Sequence, residues 1–178
     1  MNTWRFLLGG FLLACLFLPA LSQHRDPLSP EEIDQLRETA LEPEKRMKLY
    51  VAFARARLVA LEQMRSDPKT TNRAHQTHRL LEEFVAIYDE LNDNLENFDE
   101  RKADLRKAMK VIVEGDTEFQ AKLRALKDDP RASKEEAAEY QFILSNAIES
   151  VDSSADDHRK MAATQQEVWK HRKKETPP

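Results

Sequence analysis

Apolar residues recur through 81–126 at steps that alternate between three and four: Leu81, Phe84, Tyr88, Leu91, Leu95, Phe98, Leu105, Met109, Ile112, Phe119, Leu123 and Leu126, with Lys102 and Asp116 as polar members of the same seam. This is the spacing of a helix that buries one stripe, and it predicts one helix over residues 72–127. The seam passes without a slip through LNDNLENFDERKADL at 91–105. A turn there would restart the helix at an arbitrary phase, and only about two phases in seven fall back on the stripe. Against continuity stand Asn92, Asn94, Asn97 and Asp99, which are poor helix formers, and Asp99 is a ready N-cap. The alternative is a break near Phe98, with a turn near residues 97–101. It yields two helices of similar length and suits an up-and-down four-helix bundle.

Ser29-Pro30-Glu31-Glu32 carries the signature of a capping box with proline at the first helical position. It predicts a short helix over about 30–40 whose apolar face is Ile33 and Leu36. Pro43 opens a second helix over 43–66, in which Met47, Val51, Ala54, Leu58 and Leu61 form one stripe. Tyr50 and Phe53 widen that stripe, so this helix should touch more than one neighbour. Asp128-Asp129-Pro130 is a stop, and Ser133-Lys134-Glu135-Glu136 repeats the capping signature. The helix that follows, over 134–173, carries Tyr140, Leu144, Ala147, Val151, His158, Met161, Gln165 and Val168 on one seam. The short connection before it implies an antiparallel return along the preceding helix, which would set His158 beside Lys102. The fold class expected is all-α: an elongated antiparallel helical bundle with long, coiled-coil-like helices.

Before these helices lies a different kind of segment. A positively charged start through Arg5 precedes an apolar run from Phe6 to Leu21, closing on Ala20-Leu21-Ser22. That run reads as a signal peptide over 1–22, cleaved before Gln23, followed by a linker over 23–28, a single helical domain over 29–174 and a disordered tail over 175–178. Export to the periplasm or beyond is the expectation. Leu12-Leu13-Ala14-Cys15 offers an alternative, a lipoprotein anchored at Cys15. Cys15 is the chain's one cysteine, so no disulfide scaffold or thiol chemistry is expected past the leader.

Glycine narrows the fold further. Beyond Gly9 and Gly10 the chain holds Gly115 alone, too little for the turns of a sheet protein or for a phosphate-cradling loop. The 28 basic residues stand against 32 acidic ones, for a formal net charge of −4, which argues against general nucleic-acid binding.

Candidate chemistry is sparse. His75, His78 and Glu82 share a helix face and are the weak candidates for a metal site, although a solvated face explains the same spacing. No cofactor is expected, and no Gly-x-Ser-x-Gly turn or Glu-x-x-His pair occurs. Carboxylates lie among lysines and arginines at helix-pair spacing, as solvated ion-pair faces do. The expectation is a protein that is not an enzyme. Trp169, Lys170, Arg172, Lys173 and Lys174 form a basic cluster that suits an acidic partner or an anionic membrane surface. Cations in a last turn also complement the helix dipole, with Trp169 closing the bundle end.

LYVAFARARLVALEQMRSDP (49–68) and ADLRKAMKVIVEGDTEFQAKLRAL (103–126) resemble uncharacterised, predicted secreted helical proteins of environmental bacteria. The resemblance implies export and helicity and brings no activity, ligand or site residue with it. The function expected is an exported, non-enzymatic helical interaction or structural protein of the cell envelope, working through a protein partner or self-association. The alternatives are a periplasmic holdase and a metal-responsive binder through His75, His78 and Glu82. Membrane contact is expected only through the basic C-terminal end or lipidation of Cys15.

Overall fold

Local capping chemistry sets the first helix. In the computed structural model, which describes residues 26–175 and side chains as far as His171, Ser29 N–H donates to Glu32 Oε2 and Glu32 N–H donates back to Ser29 Oγ. The expected signal peptide, Cys15 and residues 176–178 lie outside the described residues. Five helices follow: α1 (Pro30–Glu38), α2 (Pro43–Ser66), α3 (Arg73–Glu100), α4 (Arg106–Lys127) and α5 (Lys134–Glu175). Every residue described is helix, turn or connection, with no strand among them. At α5 the second capping signature is half used. Glu136 N–H donates to Ser133 Oγ, but the Glu136 carboxylate turns away to Arg65 and Arg73.

The single helix expected over 72–127 is two helices. Residues 101–105 interrupt it, close to the alternative break near Phe98. The chain ends α3 with Lys102 in the left-handed region (φ 59°). Lys102 N–H donates to the Asp99 carbonyl and Ala103 N–H to the Phe98 carbonyl. This pair of bonds is a Schellman close, which satisfies carbonyls the helix end would otherwise orphan. Glycine is its usual residue, and lysine there hides the signal. The phase survives because Leu105, buried at the start of α4, falls again on the stripe by which Met109, Ile112, Phe119 and Leu123 enter the core.

The helices α2 to α5 form an elongated bundle in which consecutive members run antiparallel. Pairs such as Arg57–Glu83 across α2 and α3, and Arg124–Asp152 across α4 and α5, record this. The chain does not walk around the bundle in order. α2 packs against α3 and α4, and α5 against the same two, so α3 and α4 stand on a diagonal. The neighbours α2 and α4 are consequently parallel, as Arg55–Glu118 and Lys122–Glu62 show, and so are α3 and α5, joined by Asn92 and Ser154.

Gly115 explains how close α2 and α4 come. A Cβ placed there would meet Val51 Cγ1 at 3.0 Å, tighter than ordinary van der Waals contact. Gly115→Val should therefore destabilise by about 1–3 kcal/mol, because overpacking outweighs the gain in helix propensity. Urea unfolding measures it, and a stability at or above wild type would show that the two helices can part without cost.

α1 lies outside this square and packs on α2 alone. The second face of α2, expected from Tyr50 and Phe53, is buried. Arg46 and Arg57, on that same face, hold α1. Leu28, from the stretch expected as a linker, is buried with the core. α5 spans 42 residues, about 63 Å at 1.5 Å per residue. Its apolar seam gives out before its end, and Val168 is exposed.

Candidate functional site

The polar positions of the two long seams meet in the middle of the bundle. Tyr88 of α3 donates its hydroxyl to Asp116 Oδ1 at 2.8 Å, and His158 of α5 donates Nδ1–H to Asp116 Oδ2, also at 2.8 Å. The three residues are 0%, 1% and 4% exposed. Phe84 and Phe119 wall the group, with Phe119 edge-on to Tyr88 and Phe84 stacked along it. One level away Asn92 Nδ2 donates to Ser154 Oγ, while Asn92 Oδ1 is buried without a hydrogen-bond partner. Burial and the Asp116 carboxylate push the Tyr88 phenol well above its ordinary pKa, so it remains a donor.

In composition this is an acid–imidazole pair, and a carboxylate that fixes the imidazole tautomer is half of a general-base device. The Tyr88 and Asp116 side chains are sealed from solvent. A surface cleft of about 300 Å³ runs between α2 and α4 over Leu58, Leu61, Leu123 and Leu126. What the cluster does is join α3, α4 and α5 at one level. A satisfied polar group in an apolar seam penalises every other register, since a slip would leave three polar groups unpaired.

His158 was expected beside Lys102; it meets Asp116, roughly four helical turns further along. The reason lies at the start of α5. Glu136 bonds to Arg65 at the end of α2 and to Arg73 at the start of α3, so the first turn of α5 is anchored at that end of the bundle. Asp152 is the first α5 residue bonded to α4, through Gln120 and Arg124.

Arg65 itself is 5% exposed. Nη2 donates to Asp129 at 3.0 Å, Nη1 donates to Glu136 at 2.8 Å and to Thr77 Oγ1, and the guanidinium lies 5.5 Å over the Tyr140 ring. It ties together the ends of α2, α3 and α5 and the connection after α4. Hydrogen bonds from Arg131 and Arg65 hold Asp129 well below the usual carboxylate range, and those from Arg73 and Arg65 lower Glu136.

Two more arginines of α2 act on α1. Arg57 grips both Glu32 oxygens at 2.6 Å and the Pro27 carbonyl, and Arg46 reaches the Leu36 carbonyl, Asn94 Oδ1 and Tyr50. Burial pushes the Tyr50 phenol up to about 12, so its hydroxyl stays a donor to Glu90.

The candidates read from the sequence scatter. His75 is exposed. His78 donates Nδ1–H to the Glu139 carbonyl at 2.9 Å, with Nε2 3.2 Å from Glu82, an ion pair only when the ring is doubly protonated. Among the described residues no group of three or more His, Cys, Asp or Glu side chains is placed to hold a metal ion. Trp169 lies under the Arg106 guanidinium at 4.9 Å, and Lys170 pairs with Glu167. Arg172, Lys173 and Lys174 are helical, with side chains outside the described residues. No described helix is long and apolar enough to cross a membrane.

No family model, curated protein or solved structure matches the chain. Asp116 and His158 were both visible as polar members of apolar seams, which was the available signal for the cluster. Arg46, Arg57 and Arg65 gave no such signal, because an arginine beside an apolar stripe looks like any solvated one.

Proposed function

We propose that the protein is an exported, non-enzymatic helical interaction or structural protein of the cell envelope. The observation that carries the non-enzymatic part is the burial of Asp116 and His158. The described constellation closest to catalytic chemistry is buried, and its hydrogen bonds join three helices. The export part rests on the leader-like stretch 1–22.

Such a molecule presents helix faces, and recognition by helix faces is what they suit. The test is fractionation of cells that make the chain with a C-terminal tag. The tagged protein should appear outside the cytoplasm in a form shortened at its N-terminus, and deletion of residues 2–22 should keep it inside. Cytoplasmic accumulation of the intact chain would defeat the proposal.

A holdase reading has one specific observation in its favour. Phe142 on α5 is 85% exposed, with Ile143 and Ile148 partly buried nearby along the helix. That reading expects the purified chain to suppress aggregation of an unfolded client without nucleotide, and Phe142→Ser to weaken the effect. Single exposed apolar residues are ordinary on protein surfaces, so the interaction reading stands first.

A further inference from the structure

We propose that α1 is a releasable strap that stands in for a partner, and that the face of α2 beneath it is a docking surface for an acidic amphipathic helix. Arg46 and Arg57 hold α1 along the stretch of α2 in which Tyr50 and Phe53 lie buried. The inference rests on the reading of the chain as an interaction protein, and it names the surface and the partner's chemistry.

α1 is a nine-residue helix, too short to be stable alone, and it packs only on α2. The apolar residues that α1 and the stretch before it bury are few: Leu28, Leu36 and part of Ile33. Two arginines three turns apart hold it at its ends, Arg57 on Glu32 and the Pro27 carbonyl, Arg46 on the Leu36 carbonyl. Removing one partner of a buried ion pair is normally expensive because the other charge is left without compensation. Here the cost is offset in advance.

Arg57 Nε is buried without a hydrogen bond, yet Glu83 Oε2 of α3 waits 3.3 Å away, off the line a good bond requires. When Glu32 leaves, the guanidinium can turn to Glu83. Arg46 likewise keeps Asn94 Oδ1 and Tyr50 OH when it loses the Leu36 carbonyl. Both clamps thus have a second set of partners on the four-helix bundle, so α1 can lift without leaving either arginine unpaired.

Charge selects the occupant. α1 carries Glu31, Glu32, Asp34 and Glu38 against Arg37 alone. A stretch of α2 that carries two arginines, already occupied by an acidic segment with apolar residues on one side, fits another helix of that kind.

The experiment titrates the full chain with a fluorescent synthetic peptide of residues 26–41. Glu32→Gln in the chain removes the latch charge yet keeps the capping box, since glutamine serves there as well as glutamate. The Glu32→Gln chain should bind the peptide roughly tenfold more tightly than wild type, because a larger fraction has its face uncovered. Adding Arg57→Met to that chain should abolish binding, while Glu83 keeps its bond from Arg79 and helicity is unchanged by circular dichroism.

Hydrogen exchange supplies an independent readout. α1 amides should exchange well before those of α3 and α4, and faster still in Glu32→Gln with α4 unaffected. A peptide that binds neither chain, or both alike, overturns the proposal, as do α1 amides that exchange only with global unfolding. A Glu32→Gln dimer that excess peptide disperses would make a second copy the occupant and overturn the choice of a foreign partner. Purified components alone enter these assays, so a negative result leaves the export and interaction reading standing, and failed export leaves the docking face untouched.

Discussion

Asp116→Ala should lower the unfolding free energy by about 3–5 kcal/mol. The substitution removes the single acceptor shared by the Tyr88 hydroxyl and the His158 imidazole. Each orphaned buried donor costs about 1–3 kcal/mol, and the side-chain void adds to that. Tyr88→Phe removes one donor and leaves Asp116 bonded to His158, so its cost should stay near 0.5–1.5 kcal/mol. The two variants share a partner and their effects should not add. Urea unfolding of the single and double variants gives the comparison. A loss under about 1 kcal/mol for Asp116→Ala would mean that water reaches the cluster, and the register-lock account would fall.

Arg65→Met should be the second large effect, at about 2–4 kcal/mol. Breaking a buried pair by removing one partner commonly costs 3–5 kcal/mol. The lower figure applies because Asp129 keeps Arg131 and Glu136 keeps Arg73. Arg65→Lys should recover little, since one ammonium cannot bridge two carboxylates, a threonine and an aromatic face in the way a planar guanidinium does.

The same cluster makes a prediction about acid. Asp129 and Glu136 both titrate below their ordinary values of 3.8 and 4.5 in the fold. A carboxylate lowered by folding contributes its full stability above the ordinary value, and the contribution is lost as pH falls through that value toward the folded one. Wild type should therefore lose stability on acidification from about pH 5 downward, and Arg65→Met should lose less over the same range. Thermal melts between pH 3 and 7 read the slopes. Equal slopes would place the acid sensitivity in other carboxylates.

Where the sequence reading succeeded, the physics was local. Ser29 and Glu32 close a capping box within four residues, and Pro130 stops a helix wherever it stands. The seams from Leu81 to Phe98 and from Leu105 to Leu126 are buried because a helix with one apolar stripe has one way to face a core. The break between them stood only as the alternative, near Phe98, because its turn uses Lys102 where glycine is usual and because Leu105 happens to resume the old phase. Periodicity reports phase, and phase alone does not distinguish a continuous helix from two helices in step.

The candidate cluster was half legible. Asp116 and His158 announced themselves as polar residues in apolar seams, yet their pairing depends on how far α5 slides along α4. Arg65 and Arg73 set that slide through Glu136, 71 and 63 residues away in sequence. Gly115 was legible only as a scarcity of glycine. Its use, letting α4 approach Val51, exists only once α2 and α4 are neighbours.

The amino-acid sequence alone thus determined an all-helical chain, most helix limits and the stripe each long helix buries, since backbone bonding, capping and side-chain period act within a few residues. Tertiary structure decided the diagonal placement of α3 and α4, the register of α5, the sealed Tyr88–Asp116–His158 group and the strap over α2. These depend on which surfaces meet across the bundle, and interactions between residues far apart in sequence leave no fixed spacing along the chain by which to foresee them.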